Sequence, residues 1–223
     1  MPSTMETEYS EELQRRIAAE QGSCNLLIDP LPTHVTVGGR DYLVNSNFRT
    51  WALFEVMLTD SELSDQEIVI NALQLCFSKE IPTDVEAAFE ALIWFYRCGI
   101  QEKPKRRRRK AQEPEQAKLP DQRVFDLNED APLIYAAFMS QYGIDLQDIE
   151  YLHWWKFSAM LQGLHDDERI VEIMGYRGMD LKEIKDKEMR RRYARLKEKY
   201  ALPDVMTQQQ KVDMAGNVFS GGA

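Results

Sequence analysis

The chain has 223 residues, 43% hydrophobic and 10% aromatic, with 28 Lys or Arg against 37 Asp or Glu and a formal net charge of −9. These are globular values for one or two small domains, and the acidic balance disfavours a protein built mainly to coat nucleic acid. The three cysteines, Cys24, Cys76 and Cys98, are odd in number, far apart and in no Cys-x-x-Cys pair, so neither a disulfide framework nor a zinc site is indicated and a reducing compartment fits best.

Residues 1–24 are polar and acidic, with Glu6, Glu8, Glu11 and Glu12, and read as a disordered arm. The arm has no apolar run and is not a signal peptide, and no stretch approaches the ~18 apolar residues that span a bilayer. The expectation is a cytoplasmic protein. His34-Val-Thr-Val37, then Gly38-Gly39, then Arg40-Asp-Tyr-Leu-Val44 is a hairpin signal, because the glycine pair supplies the positive φ of a tight turn. Asn47 is placed to cap a helix carrying Phe48, Trp51, Leu53, Phe54, Met57 and Leu58. Ser64-Asp-Gln-Glu67 and Thr83-Asp-Val-Glu86 both fit a Ser/Thr-x-x-Glu capping box, and Gly99 suits a C-terminal cap. Residues 25–100 therefore read as a β-hairpin plus three-helix domain.

Residues 101–121 hold Lys103 to Lys110 and several prolines with no apolar periodicity, and read as a flexible linker. Beyond it, Asp130-Ala-Pro132 opens a helix that Gly143 ends. The stretch from Gly143 to Leu164 reads as one helix, apolar on nearly every side, that must be covered by its own domain or by another subunit. Asp166 or Asp167 opens a short helix to Gly175, and a last helix runs from after Asp180 to about Tyr200, with the stripe Met189, Tyr193, Leu196, Tyr200. These four helices make a second domain over 122–202, and 203–223 reads as a disordered tail. The fold class is mainly α with one small β-hairpin (α+β), in two small helical domains joined by a charged linker.

Catalytic signals are weak. Only His34, His153 and His165 could centre acid–base or metal work; His153 falls on apolar ground and reads as a core histidine held by one hydrogen bond. His165-Asp166-Asp167-Glu168 reads as helix-start capping, since adjacent side chains there diverge. Gly38-Gly39 lacks the downstream Gly and Lys of a phosphate loop, and no Gly-x-Ser-x-Gly, His-Glu-x-x-His or Cys/His nucleophile pattern occurs. No catalytic, cofactor-binding or metal residue is assigned, and the chain is not expected to be an enzyme. The run Lys105, Arg106, Arg107, Arg108, Arg109, Lys110 is the candidate anion contact, although it lacks interleaved aromatics and reads first as solvated linker. The second basic cluster, Arg190 to Arg192, Arg195, Lys197 and Lys199, lies near a helix C-terminus where cations complement the dipole.

Gly38-Gly-Arg-Asp-Tyr42 with Asn47-Phe-Arg-Thr-Trp51, and above all Tyr142-Gly-Ile-Asp-Leu-Gln-Asp-Ile-Glu-Tyr-Leu-His-Trp-Trp-Lys-Phe157, resemble the bacteriophage gp-fifteen family. Ile173-Met-Gly-Tyr-Arg-Gly-Met-Asp180 with Ala201-Leu-Pro203 carries the same resemblance, which spans most of residues 25–203. It implies a protein of long-tailed (Siphoviridae-type) phages or prophages, encoded between the major tail protein and the tape-measure protein, the position of tail-assembly chaperones. The implied partner is the tape-measure protein, with the major tail protein as a further candidate; self-association is open, nucleic acid is disfavoured, and no membrane is involved. Trp154, Trp155, Phe157 and Met160 are expected to anchor the second domain's core or self-association, and Met189, Tyr193, Leu196 and Tyr200 to form a partner-binding face. The implied setting is the host bacterial cytoplasm, with a minor structural role in the virion tail, or nucleic-acid contact through the basic linker, as alternatives.

Overall fold

The computed structural model describes residues 24–60, 62–100 and 123–203. The basic run Lys105 to Lys110, the tail from residue 204 and residues 1–23 of the acidic arm lie outside them. Strand β1 (His34–Val37) pairs antiparallel with β2 (Arg40–Leu43), His34 opposite Leu43 and Val37 opposite Arg40. Gly38 and Gly39 both take positive φ, +59° and +79°, as a two-residue turn with the twist of a hairpin requires. Val35 and Val37 are buried while His34 and Thr36 face outward, so the period-2 alternation of β1 sets which face enters the core.

Seven helices occupy the rest of the described residues: α1 (Phe48–Thr59), α2 (Asp65–Cys76), α3 (Val85–Tyr96), α4 (Ala131–Tyr142), α5 (Trp154–Gln162), α6 (Arg169–Gly178) and α7 (Lys187–Lys199). The chain is therefore mainly α with one small hairpin. Asn47 accepts from the Arg49 N–H ahead of α1. At α2 the capping box is reciprocal, the Ser64 N–H donating to Glu67 at 2.9 Å and the Glu67 N–H to the Ser64 hydroxyl at 3.4 Å. At α3, Asp84 rather than Thr83 supplies the cap, accepting from the Ala87 N–H. Gly143 closes α4 in the left-handed conformation at φ 64°, its N–H bonded to the Met139 and Phe138 carbonyls.

Three helix boundaries depart from the periodicity. The stretch expected as one helix from Gly143 to Leu164 is a loop followed by the 9-residue α5. Asp145 draws in the backbone N–H groups of Gln147 and Asp148, a local turn that competes with a helix, and the chain at Asn47 and His153 then pairs as an antiparallel bridge. Helix α6 starts after Glu168, not Asp166 or Asp167, and runs past Gly175 to Gly178. Helix α7 starts after Asp186, whose carboxylate caps the Met189 N–H, while Asp180 forms a turn of its own with the Lys182 N–H.

The described residues form two compact units that interleave along the chain. The first takes in 24–51, 69–100 and 152–158; the second takes in 52–60, 62–68, 123–151 and 159–203. This differs from the contiguous blocks 25–100 and 122–202, because the backbone around Leu152 to Trp154 bonds to Ser46 and Phe48 instead of to its neighbours in sequence. In the first unit Val35, Val37, Val44, Leu73, Phe89 and Leu92 are among the buried residues. In the second, α4 packs on α6 and α6 on α7, with Ile134, Phe138, Ile170 and Ile173 buried.

Candidate interaction face

Within the first unit, the segment Leu152 to Phe157 is a clasp on the end of α3. The Phe48 N–H donates to the Leu152 carbonyl at 2.8 Å, and the Trp154 N–H donates to the Ser46 carbonyl at 2.8 Å. A helix leaves its last carbonyls without intrahelical partners. Here the Trp154 indole N–H donates to the Tyr96 carbonyl and the Trp155 indole N–H to the Phe95 carbonyl, both at 2.8 Å. Their rings stay in contact with the same turn: Trp154 stacks on Tyr96 at 5.7 Å between centroids, and Trp155 meets Phe95 at 5.6 Å and Trp94 edge-on at 5.7 Å. Gly99, at φ +74°, lets the chain turn under them; a Cβ there would lie 3.0 Å from the Trp155 ring.

His153 holds the near side of this clasp. Its Nε2 lies 2.9 Å from the Pro32 carbonyl, and its Nδ1 lies 3.1 Å from the Trp155 N–H. A carbonyl only accepts and a backbone N–H only donates, so the ring is neutral with its proton on Nε2. Burial pushes its pKa below the usual range, the Pro32 bond opposes this, and Lys156 adds to the lowering. The native ring thus resists a proton that the unfolded chain takes up near pH 6.5. Its stabilising contribution is complete above about pH 6.5 and is lost as pH falls from there through the lower native value. His153→Gln keeps a donor for Pro32 but moves its acceptor, the amide oxygen, off the Nδ1 position that serves the Trp155 N–H, and is expected to cost about 1–3 kcal/mol at pH 7.5. It should also remove a pH slope of up to about 1.4 kcal/mol per unit. Urea unfolding of both proteins between pH 7.5 and 5 checks this, and equal slopes would refute it.

The second unit holds a buried charge cluster whose members lie far apart in the chain. The Arg177 guanidinium donates to both oxygens of Asp130, at 2.6 and 3.0 Å, and also to the Val124 carbonyl at 3.0 Å and the Tyr200 carbonyl at 2.6 Å. Arg177 is 7% exposed and Asp130 2%. Asp130 makes no capping bond to α4; it accepts instead from the Asp126 N–H, and Asp126 pairs with Arg123. Burial lowers the pKa of the Arg123 guanidinium, against the opposing pull of Glu55, Asp130 and Glu129. A signal for Arg177 does exist: it follows Ile170 by seven residues and Ile173 by four, which places a charge in line with the buried residues of α6.

The stripe Met189, Tyr193, Leu196, Tyr200 runs along α7, a helix with no buried residue. Much of it faces inward. Tyr200 stacks on Tyr176 of α6 at 6.0 Å, Tyr193 meets the same ring at 6.2 Å, and Leu196 is half-buried. The Lys197 ammonium donates to the Met179 carbonyl at 2.9 Å, and Arg169 reaches both Glu172 and the Tyr200 hydroxyl. Only Met189, 52% exposed, stands clear. The opposite face carries Arg191, Arg192 and Arg195 with Glu188 along an open cleft of about 420 Å³. Of the four residues expected to act together as an aromatic anchor, Trp154, Trp155 and Phe157 are buried in the first unit; Met160 is half-buried in the second, where its carbonyl accepts from the Tyr142 hydroxyl. His165 stands apart from these features, its backbone N–H held by Gln141.

The family model described as Bacteriophage Gp15 protein matches residues 27–202, which hold the hairpin, all seven helices and the clasp. The chain belongs to this bacteriophage family. No curated protein and no solved structure gives a match. In this Gp15-family chain the Leu-His-Trp-Trp-Lys-Phe segment is explained position by position: Leu152, His153, Trp154, Trp155 and Phe157 are buried, and Lys156 alone is exposed. Among the described residues no group of three or more His, Cys, Asp or Glu is placed to hold a metal ion, and no helix is long and apolar enough to cross a membrane.

Proposed function

We propose that this phage protein is a non-enzymatic tail-assembly chaperone that binds the tape-measure protein in the host cytoplasm and keeps it soluble before the tail tube polymerises. The observation that carries the reading is α7. It is amphipathic, buries none of its residues, and is held to α6 by tyrosine stacking and side chain to carbonyl bonds, with Met189 exposed at one end of its stripe. A tape measure is a long helical chain whose apolar seams are bare until tube subunits surround it. A displaceable helix with Met and aromatic contacts suits such a client, because these side chains repack against varied apolar surfaces, and the net charge of −9 keeps a complex soluble.

Co-expression with the tape-measure protein of the same phage is expected to raise its soluble yield several-fold. Met189→Asp should abolish most of that gain while leaving the chaperone folded. Tyr193→Asp should do the same and also loosen α7, since Tyr193 touches Tyr176. An unchanged yield with the wild-type protein would overturn the chaperone role, and an unchanged effect of Met189→Asp would overturn this face.

A further inference from the structure

The outer face of α7 and the outer face of α3 carry matching charge. Residues 185–200 hold eight Lys or Arg against three acids, in a protein of net charge −9, whereas residues 80–96 hold Glu80, Asp84, Glu86 and Glu90 and no cation. On α7, Glu188, Arg195 and Lys199 are exposed and lie within about 40° of one another at 100° per residue. On α3, Glu86 and Glu90 are exposed and share a stripe of the same width with Arg97, the C-terminal cap. The spacings agree: Glu86 to Glu90 to Arg97 is four residues then seven, and Lys199 to Arg195 to Glu188 is four then seven in the reverse direction. Laid antiparallel, the two helices bring each of these six charges opposite one of the other sign, while Arg191 and Arg192 of the same face flank the row and add to the positive field that Glu86 and Glu90 meet.

We infer that α7 of one copy docks antiparallel on α3 of a second copy, pairing Lys199 with Glu86, Arg195 with Glu90 and Glu188 with Arg97. The contact is between unlike surfaces, so each copy keeps one free face of each kind and the assembly grows into rings or open chains. A 13-residue helix is only about 20 Å long. Its footprint falls short of the ~800 Å² per partner of stable interfaces, so the association is weak, concentration-dependent and reduced by salt. A nucleic acid is a poorer occupant: it would meet Glu188 within the face and extend past the helix onto the acidic remainder of the chain. The inference is independent of the chaperone reading, since it needs no client.

Sedimentation equilibrium of the full chain at 50 mM and 500 mM NaCl tests it. The weight-average mass is expected to rise with concentration at low salt and to return to the monomer mass at high salt. Glu90→Arg and Arg195→Glu should each hold the protein monomeric at low salt, with unchanged circular dichroism, and the double variant should recover the association. A wild-type chain that is monomeric throughout overturns the inference. So does self-association that neither reversal weakens, or a double variant no better than its parents.

Discussion

Replacing Trp155 with alanine is expected to cost about 3–5 kcal/mol, the range for truncating a buried aromatic residue in a close-packed core. Trp155 is 1% exposed, so its removal leaves a cavity bounded by Trp94, Phe95 and His153. It also removes the shorter bond to the Phe95 carbonyl, the indole N–H at 2.8 Å, and leaves the Cys98 N–H at 3.0 Å. Trp155→Phe separates the two losses. It restores most of the ring volume but no donor, and should cost about 0.5–1.5 kcal/mol, the net contribution of one hydrogen bond, since the Cys98 N–H still serves the Phe95 carbonyl. Chemical denaturation followed by tryptophan fluorescence and by circular dichroism measures both variants. If the alanine variant loses less than about 1 kcal/mol, the clasp is not what holds the end of α3.

Arg177→Met should be as damaging, at about 3–5 kcal/mol, because it strands the Asp130 carboxylate in the interior. The methionine fills a similar volume, so the loss is electrostatic rather than a cavity effect. Replacing both partners, Arg177→Met with Asp130→Leu, removes the stranded charge and should recover part of the stability. Recovery stays incomplete because Arg177 also serves the Val124 and Tyr200 carbonyls, and Asp130 also serves the Asp126 N–H. Arg177→Lys keeps the charge but not the planar fork that meets two carboxylate oxygens and two carbonyls, so it should fall between wild type and Arg177→Met. Equal stability of wild type and Arg177→Met would show that the buried pair contributes nothing net.

Local signals in the chain translated into local structure with few exceptions. The Gly38-Gly39 hairpin, the Ser64/Glu67 capping box, Pro132 in the first turn of α4 and the left-handed Gly143 all depend on backbone conformations or bonds formed within a few residues. The stretch from Gly143 to Leu164 failed for the opposite reason. Its apolar residues fit a helix equally well at every position from Ile144 onward, and the register was decided by Asp145 turning the chain locally and by Ser46 and Phe48 offering backbone partners a hundred residues away. Separations of 121 and 47 residues likewise hid His153's partner Pro32 and Arg177's partner Asp130. Periodicity marks a residue as inward-facing but not what it will face.

The partner-binding stripe shows the limit most clearly. Spacings of four, three and four correctly placed Met189, Tyr193, Leu196 and Tyr200 on one side of one helix, and the amphipathic pattern was real. Whether that side was bare depended on Tyr176 of α6, which takes up two of the four.

What the residues determined unaided is the inventory: a hairpin, the seven helices of the described residues, some of their caps, and the family to which the chain belongs, since these are written in short-range stereochemistry or in matched motifs. What tertiary structure alone decided is which inward-facing groups meet, and so which unit the tryptophan pair serves and which face of α7 is left to solvent. Those outcomes follow from long-range contacts, the indole N–H bonds to the end of α3 and the packing of Tyr176 against α7, whose free energy depends on burial that no local window contains.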